Sequence, residues 1–361
     1  MAADQVETDR GFRLALPGYQ YRFPRDHGSH DEFRTEWWYY TGHLESAEGR
    51  RFGYELTFFR RAVPQDGHRP SRSRWAIRHV YLAHFAVTDV ETDRFLYAEK
   101  ISRAGLGKAG AEAGRLHVWT DRWVAEMGPA GRDQQPLNAH HLEASTEEFS
   151  IDLHLIPDKP PIIHGQGGVS RKGASRGQAS HYYSVTRLIT RGSLSLNGRE
   201  FPVTGLSWMD HEFGSANLED AVVGWDWFSV QLNDHTELML YVLRWGDGTP
   251  DPASTGTFLS SSGGSRHLYG RDFHIDVLDH WVSEASGARY PSRWRITVAP
   301  LDITLELRPL LADQELMTSK STQITYWEGA VAVTGKRGRG AVTGQGYVEL
   351  TGYAKPLAKA L

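Results

Sequence analysis

The chain has 361 residues, with 40 Lys and Arg against 44 Asp and Glu and a formal net charge of −4. Both signs are spread along it, which argues against nucleic acid as the main partner, because nucleic-acid binders carry a basic stripe. Cysteine is absent, which excludes disulfides, cysteine zinc sites and a cysteine nucleophile, and no window approaches the roughly eighteen apolar residues of a membrane-spanning helix.

The length leaves room for two domains of ordinary size. The 12 Trp and 37 Gly make a strand-and-turn composition. The N-terminal MAADQVETDRGF lacks the basic-then-apolar pattern of a signal peptide. The expected compartment is the periplasm or the exterior if a leader has been trimmed, and otherwise the cytoplasm.

The first clear strand is WWYYTGHLE, Trp37 to Glu45. Aromatics occupy both of its faces, so it is expected to be buried on both sides, with a core on one and a cavity on the other. A hairpin partner follows at Arg51–Arg61. After the basic stretch Ser71–Arg74 a long strand is expected from Trp75 to Thr88, and then a Gly/Ala-rich loop with a short helix over Ala98–Gly114. Strands are expected at Leu116–Glu126, Leu137–Ser145 and Ser150–Ile156. Pro157–Ser180 is a long Pro/Gly/Ser loop, readable as a lid or as a disordered insertion.

HYYSVTRLITRGSLSL then leads into the Asn197-Gly198 hairpin turn and the strand Arg199–Leu206. Alternating segments continue from Gly224 to Thr351. The KRGRG turn near the end sits between strands with no helix after it, so nucleotide binding is not expected there. Many short strands with regular turns make an all-β chain, with two sets of strands broken near residues 205–222.

That break, Gly205 to Leu232, places Trp208, Trp225 and Trp227 close to Asp210, His211, Glu212 and Asp226. Titratable groups among aromatic rings suit a pocket for acid–base chemistry. They also suit a packed sheet corner in which Asp210 caps a turn, His181 is a satisfied core histidine and Tyr182 and Tyr183 pack across strands.

EWWYYTGHL, HGQGG with ASHYYSVTR, WMDHEFGS, GWDWFSVQL, and YWEGAV with GYVELTGYA together resemble the AttH-like/CrtC-like lipocalin-related family, over about residues 20–355. That family includes proteins described as secreted hydrolases. Its relatives include the carotenoid 1,2-hydratases (hydroxyneurosporene synthases) and, more distantly, fungal cyclases of the Diels–Alderase type. The resemblance implies two consecutive lipocalin-like β-barrel domains: an N-terminal, CrtC-like one at 20–206, a junction at 207–219, and a C-terminal one at 220–355. In the hydratases a His-x-Trp pair and a later Tyr-x-Asp pair carry the chemistry. The matching positions here are His181 with Tyr183 and Trp208 with Asp210, the two aromatics being exchanged, which places the chain nearer the AttH-like branch.

The expected function is binding of a hydrophobic small molecule, an isoprenoid, polyene or lipid, near the junction. Trp37, Tyr39, His211, Glu212, Trp225, Trp227 and Gln231 would line the site. The expected chemistry is that of a hydratase (hydro-lyase) or an isomerase/cyclase. Asp210, kept protonated by burial, would act as acid, ring faces would stabilise a carbocation, and His181 or His211 would act as base. Ester hydrolysis is not expected, for want of a G-x-S-x-G elbow. His79, His84 and His211 show no spacing that demands a metal, and no cofactor is expected. The alternative is a non-catalytic extracytoplasmic carrier of lipid or a hydrophobic metabolite, partnered by an ABC-type export system. The oligomeric state is left open.

Overall fold

The computed structural model describes residues 8–9, 11–63, 77–128, 136, 138–215, 218–219 and 221–357. Ser71–Arg74, the start of the strand expected from Trp75, Leu137, and most of the N-terminal dodecapeptide lie outside the described residues.

A small ribbon, β1 (Thr8–Asp9) and β2 (Phe12–Arg13), precedes the first large sheet. That sheet contains β3 (Thr35–Ser46), β4 (Arg51–Ala62), β5 (His79–Asp89), β6 (Arg94–Arg103), β7 (Ala109–Ala111), β8 (His117–Thr120) and β9 (Trp123–Met127). It continues with β10 (His140–Ser145), β11 (Phe149–Pro157), β12 (Ile162–Ile163), β13 (Ser170–Arg171), β14 (Ala179–Leu196) and β15 (Arg199–Gly214). The second sheet contains β16 (Val222–Leu232), β17 (Glu237–Trp245), β18 (Thr255–Leu259), β19 (Ser265–Tyr269) and β20 (Phe273–Val282). It is completed by β21 (Arg289–Val298), β22 (Ile303–Pro309), β23 (Glu315–Met317), β24 (Thr325–Arg337) and β25 (Gly340–Leu350). Three short 3-10 turns are the only helical elements among the described residues.

The first sheet is ordered β6-β5-β4-β3-β15-β14-β11-β10-β9-β8-β7, with β12 and β13 also on β14, and the second β19-β18-β17-β16-β25-β24-β22-β21-β20, with β23 on β24. The first curls until β6 lies beside β7 and β8. The ends of the second, β19 and β20, are joined by the 3-10 turn Gly270–Asp272. The protein is therefore all-β, two lipocalin-like barrels in succession. Each has its own packed interior: Trp38, Tyr40, Phe58, Phe85, Tyr183 and Met209 in the first, Phe228, Leu240, Trp294, Trp327 and Val348 in the second.

Period-two alternation decides what lies between the barrels. On β3, Trp38 and Tyr40 point into the first barrel, while Trp37 and Tyr39 pack with the second. Tyr182, Trp208, Trp227, Met239, Tyr241 and Tyr347 complete an aromatic layer between the outer faces of the two sheets. The Asn197-Gly198 turn, with φ of +50° and +78°, is a two-residue hairpin that sets the β14/β15 register. A bulge between Val185 and Leu188 lets Arg187 leave the sheet for the second barrel, where Arg187 (2.6 Å) and Lys159 (2.7 Å) both meet the buried Glu237.

Two expectations change. Ala98–Gly114 holds strand, not a helix: β6 pairs along β5, and the chain turns through Gly105 and Gly107, both at positive φ. Ser207–Gly214, assigned to the junction, is the end of β15, paired with β14 and β3. WMDHEFG alternates in and out as a strand does, so the connection between the sheets starts only at Ser215.

Candidate active site

A cavity of about 380 Å³ lies in the interface, between the outer walls of the barrels and not inside either. The first barrel supplies Trp37 and Tyr39 (β3), Glu55 and Phe59 (β4), Tyr182 (β14), and Asp210 and Glu212 (β15). The second supplies Trp225 and Trp227 (β16), Tyr241 (β17), Tyr326 and Glu328 (β24), and Glu349 (β25). Lys172 enters from the Pro157–Ser180 segment, which pairs with β14 through β12 and β13 and reaches the second barrel through Lys159 and Glu237. A wider cleft of about 650 Å³ lies at the other end of β3 and β15. It gathers no comparable set of buried acids.

Asp210 accepts three side-chain hydrogen bonds on the cavity wall. Trp208 Nε1 donates to its Oδ1 at 2.6 Å, and Ser184 Oγ donates to the same oxygen. Tyr182 OH donates to Oδ2 at 2.6 Å, and Trp227 Nε1 donates in turn to the Tyr182 hydroxyl at 3.0 Å. Burial nevertheless outweighs these donors and pushes the carboxyl up to about 7. Ser184 Oγ also lies 2.6 Å from His164 Nε2, and His164 Nδ1 lies 2.8 Å from Thr257 Oγ1 of the second barrel. Burial lowers His164 to about 3. It is a neutral imidazole, and the network fits a tautomer with the proton on Nε2, because the Ser184 hydroxyl is spent on Asp210.

Three more carboxyls line the cavity: Glu55 of the first barrel and Glu328 of the second are buried, and Glu349 of the second is half-buried. Tyr39 OH donates to Glu328 Oε1 at 2.6 Å, Trp225 Nε1 to Glu349 Oε2 at 2.9 Å, and Thr57 Oγ1 to Glu55 Oε1 at 2.6 Å. Burial, reinforced by neighbouring acids, raises Glu55 to about 8, Glu349 to about 7 and Glu328 well above its ordinary value. Glu212 is different. It pairs with Lys172 at 2.8 Å and accepts from Ser180, and the Lys172 ammonium rests 3.9 Å from the centroid of Tyr241. The arrangement offers carboxyls that keep their protons into the neutral pH range, aromatic faces, and one ion pair at its edge.

A family model described as AttH-like matches residues 14–353. The chain belongs to the AttH-like family. Its fold matches that of an AttH protein from Nitrosomonas europaea at 33% identity and a TM-score of 0.83, over 95% of this chain and 100% of that one. Kievitone hydratase from Nectria haematococca matches at 13% identity and a TM-score of 0.70, over 96% and 98%. CghA with Sch210972 matches at 12% identity and 0.58, over 99% of both chains. At those identities the likeness is one of fold. No curated protein matches the chain.

The hydratase-type positions divide between the two faces of the β14/β15 pair. Asp210 faces the cavity, as do Trp37, Tyr39, Glu212, Trp225 and Trp227; Trp208 lies in the aromatic layer behind Asp210, outside the cavity lining. His181, Tyr183 and His211 point the other way. His181 Nδ1 lies 2.9 Å from Gly168 O among Tyr19, Phe33 and Phe213, and burial lowers it to about 4. Tyr183 OH lies 2.9 Å from His211 Nδ1 and 2.7 Å from His27 Nδ1 inside the first barrel. The expected pairing of His181 with Asp210 is therefore not made, because odd and even residues of β14 face opposite sides. Gln231 lies between the barrels, bonded to Thr186 O at 2.8 Å and Ser207 O at 2.9 Å, outside the cavity lining.

His79, His84 and His211 do not meet either. His84 contacts Tyr326 and Ser321, while His211 joins His30 on Glu36. His30, Glu36 and His211 are close enough to share an ion. Arg60, however, holds Glu36 at 2.9 Å, and the guanidinium takes the place of a cation there. Sequence reasoning passed over His164, Lys172, Ser184, Glu55, Glu328 and Glu349. Strand alternation puts Tyr182 and Ser184 on the face of Asp210 once WWYY has fixed which face is the core.

Proposed function

We propose that the interface cavity takes a hydrophobic small molecule and performs hydratase- or isomerase-type chemistry on a carbon–carbon double bond, with Asp210 as the acid. One observation carries this reading: a carboxyl on the cavity wall, ringed by Trp208, Tyr182 and Trp227 and held at about 7 by burial, keeps about half of its population protonated at neutral pH, where an ordinary aspartate is ionised. Protonating an alkene carbon leaves a carbocation beside Trp37, Trp225 and Trp227, whose ring faces stabilise it by roughly 0.5–2 kcal/mol per favourable contact. Asp210 is then a carboxylate, stabilised by its three donors. In hydration, water adds to the cation and its proton returns to Asp210, which closes the cycle. In isomerisation Asp210 takes a proton from the neighbouring carbon. His164 supports the carboxylate through Ser184 and is the imidazole on this path in place of His181.

The fold shared with kievitone hydratase is in keeping with this reading. The test is Asp210→Asn on an isoprenoid polyene in D2O, with products read by mass spectrometry. The wild-type protein should place solvent deuterium on carbon, and the variant should lose at least about 100-fold of that rate, within the range of general acid catalysis, while keeping its fold and ligand affinity. A ligand that co-purifies and is returned unchanged, without deuterium, would favour the carrier instead.

A further inference from the structure

Glu55, Glu328 and Glu349 line the same cavity as Asp210, and the proposed acid chemistry does not use them. They come from both barrels. Glu328 and Glu349 are direct cross-strand partners on β24 and β25, an arrangement of like groups that weakens a sheet. Glu328 is wholly buried; Oε1 accepts from Tyr39, whereas Oε2 has no hydrogen-bond partner among the described residues. A buried acceptor left unmet is costly and is retained where something else meets it.

The bases at the cavity's edge are committed elsewhere. Lys172 is paired with Glu212, Arg60 with Glu36, and Arg61 is also engaged. The neighbours that perturb Glu55 and Glu328 are acids, phenols and the Thr57 hydroxyl; of the three wall carboxyls only Glu349 is within the influence of Lys172. Tyr39, Phe59, Tyr326 and Trp225 surround the same space. Glu55 and Glu328, with no cation beside them among the described residues, and Glu349 next to them, inside an aromatic box, are the acceptor set that recognises an alkylammonium group.

We infer that this wall is a subsite for a protonated amine, so that the molecule presented to Asp210 is an amphiphilic amine and not a neutral hydrocarbon. The inference rests on the reading that the cavity takes a hydrophobic small molecule. A hydroxyl would meet the free oxygen of Glu328 but would leave the wall's carboxyls, which burial holds in their neutral form, with no charge to ionise against. An ammonium supplies that charge, so that a wall carboxyl releases its proton to solvent on binding, and it donates more than one hydrogen bond.

Geranylamine and geraniol share one hydrophobic, double-bonded skeleton and differ in this one group. Calorimetry at pH 8 on the full chain should give geranylamine at least about tenfold tighter than geraniol. Glu328→Gln keeps an oxygen for Tyr39 and removes the acid. It should cut geranylamine affinity about tenfold and leave geraniol within twofold, and Glu349→Gln should act in the same direction. Geraniol binding by each variant reports that the cavity has folded. Equal binding of the two probes by the wild type, or an equal loss of both in the variants, overturns the amine subsite and leaves the hydrophobic cavity standing. Failure of both probes to bind the wild type overturns the cavity reading as well.

Discussion

Asp210 combines two demands that ordinarily exclude each other. Three donors favour its ionised form, and full burial favours its neutral form by more, leaving it at about 7. If the protonated form does the chemistry, the rate should be flat below that value and fall as pH rises through it. Ser184 tests this balance. Its hydroxyl lowers Asp210, and a hydrogen bond to a charged group contributes about 1.5–3 kcal/mol. Ser184→Ala should therefore move the alkaline limb of the kcat profile upward by about one pH unit or more. A merely structural Ser184 would lower kcat and leave the limb in place, so the profile separates the two roles. Asp210 was legible in the sequence because an acid between Trp208 and Trp225 is an uncommon neighbourhood. His181 misled because a family spacing fixes distance along the chain and says nothing of facing. Its partners are Gly168 O and the rings of Tyr19 and Phe213.

At the scale of strands, β3 shows what alternation can and cannot reveal. WWYYTGHLE announces two buried faces, and both are found: Trp38 and Tyr40 in the first barrel, Trp37 and Tyr39 on the cavity. The other cavity carboxyls were not legible. Glu328 and Glu349 meet through β24/β25 pairing, and Glu55 joins them only when the barrels dock; no local pattern encodes docking. Gly53 on β4 reports how tight that docking is. A Cβ built there would stand 2.7 Å from Ala330 Cβ and 3.0 Å from Tyr347 OH, both of the second barrel. In a loose interface Gly53→Ala would stabilise the strand by roughly 0.5–1 kcal/mol through reduced backbone entropy. With these contacts it should destabilise by about 1–3 kcal/mol, the usual cost of overpacking. The sign of the shift in the urea midpoint decides between the two.

Across the whole molecule the barrels are joined by polar as well as aromatic contacts. Glu237 holds Lys159 and Arg187, His84 meets Tyr326 at 2.7 Å, and Thr88 donates to Gln314 at 2.8 Å. Buried ionisable groups then govern how stability responds to pH. His43, His84, His140, His164 and His181 are lowered by burial to about 3–4. The native state therefore binds fewer protons than the unfolded chain below the ordinary histidine value of about 6.5, and the imidazole contribution is lost as pH falls from there toward 4. Glu55, Asp210 and Glu349 are raised to between about 7 and 8. Their contribution is complete below the ordinary carboxyl range and is lost as pH climbs through 7 to 8. Between pH 4 and 6.5 the two sets oppose each other. Above 6.5 the imidazoles named here are silent and the carboxyls act alone, joined by His30, raised to about 9 by Asp26 and Glu36 against the pull of burial. Stability should therefore peak near pH 6.5 and decline toward pH 8.5. A single carboxyl contributes at most about 1.4 kcal/mol per pH unit to that decline. Glu55→Gln, which keeps an acceptor for Thr57 and removes the titration, should recover about 2 kcal/mol of the loss between pH 6.5 and 8.5. Urea unfolding of both proteins at the two pH values measures it; parallel losses in the variant and the wild type would assign the alkaline decline to other groups.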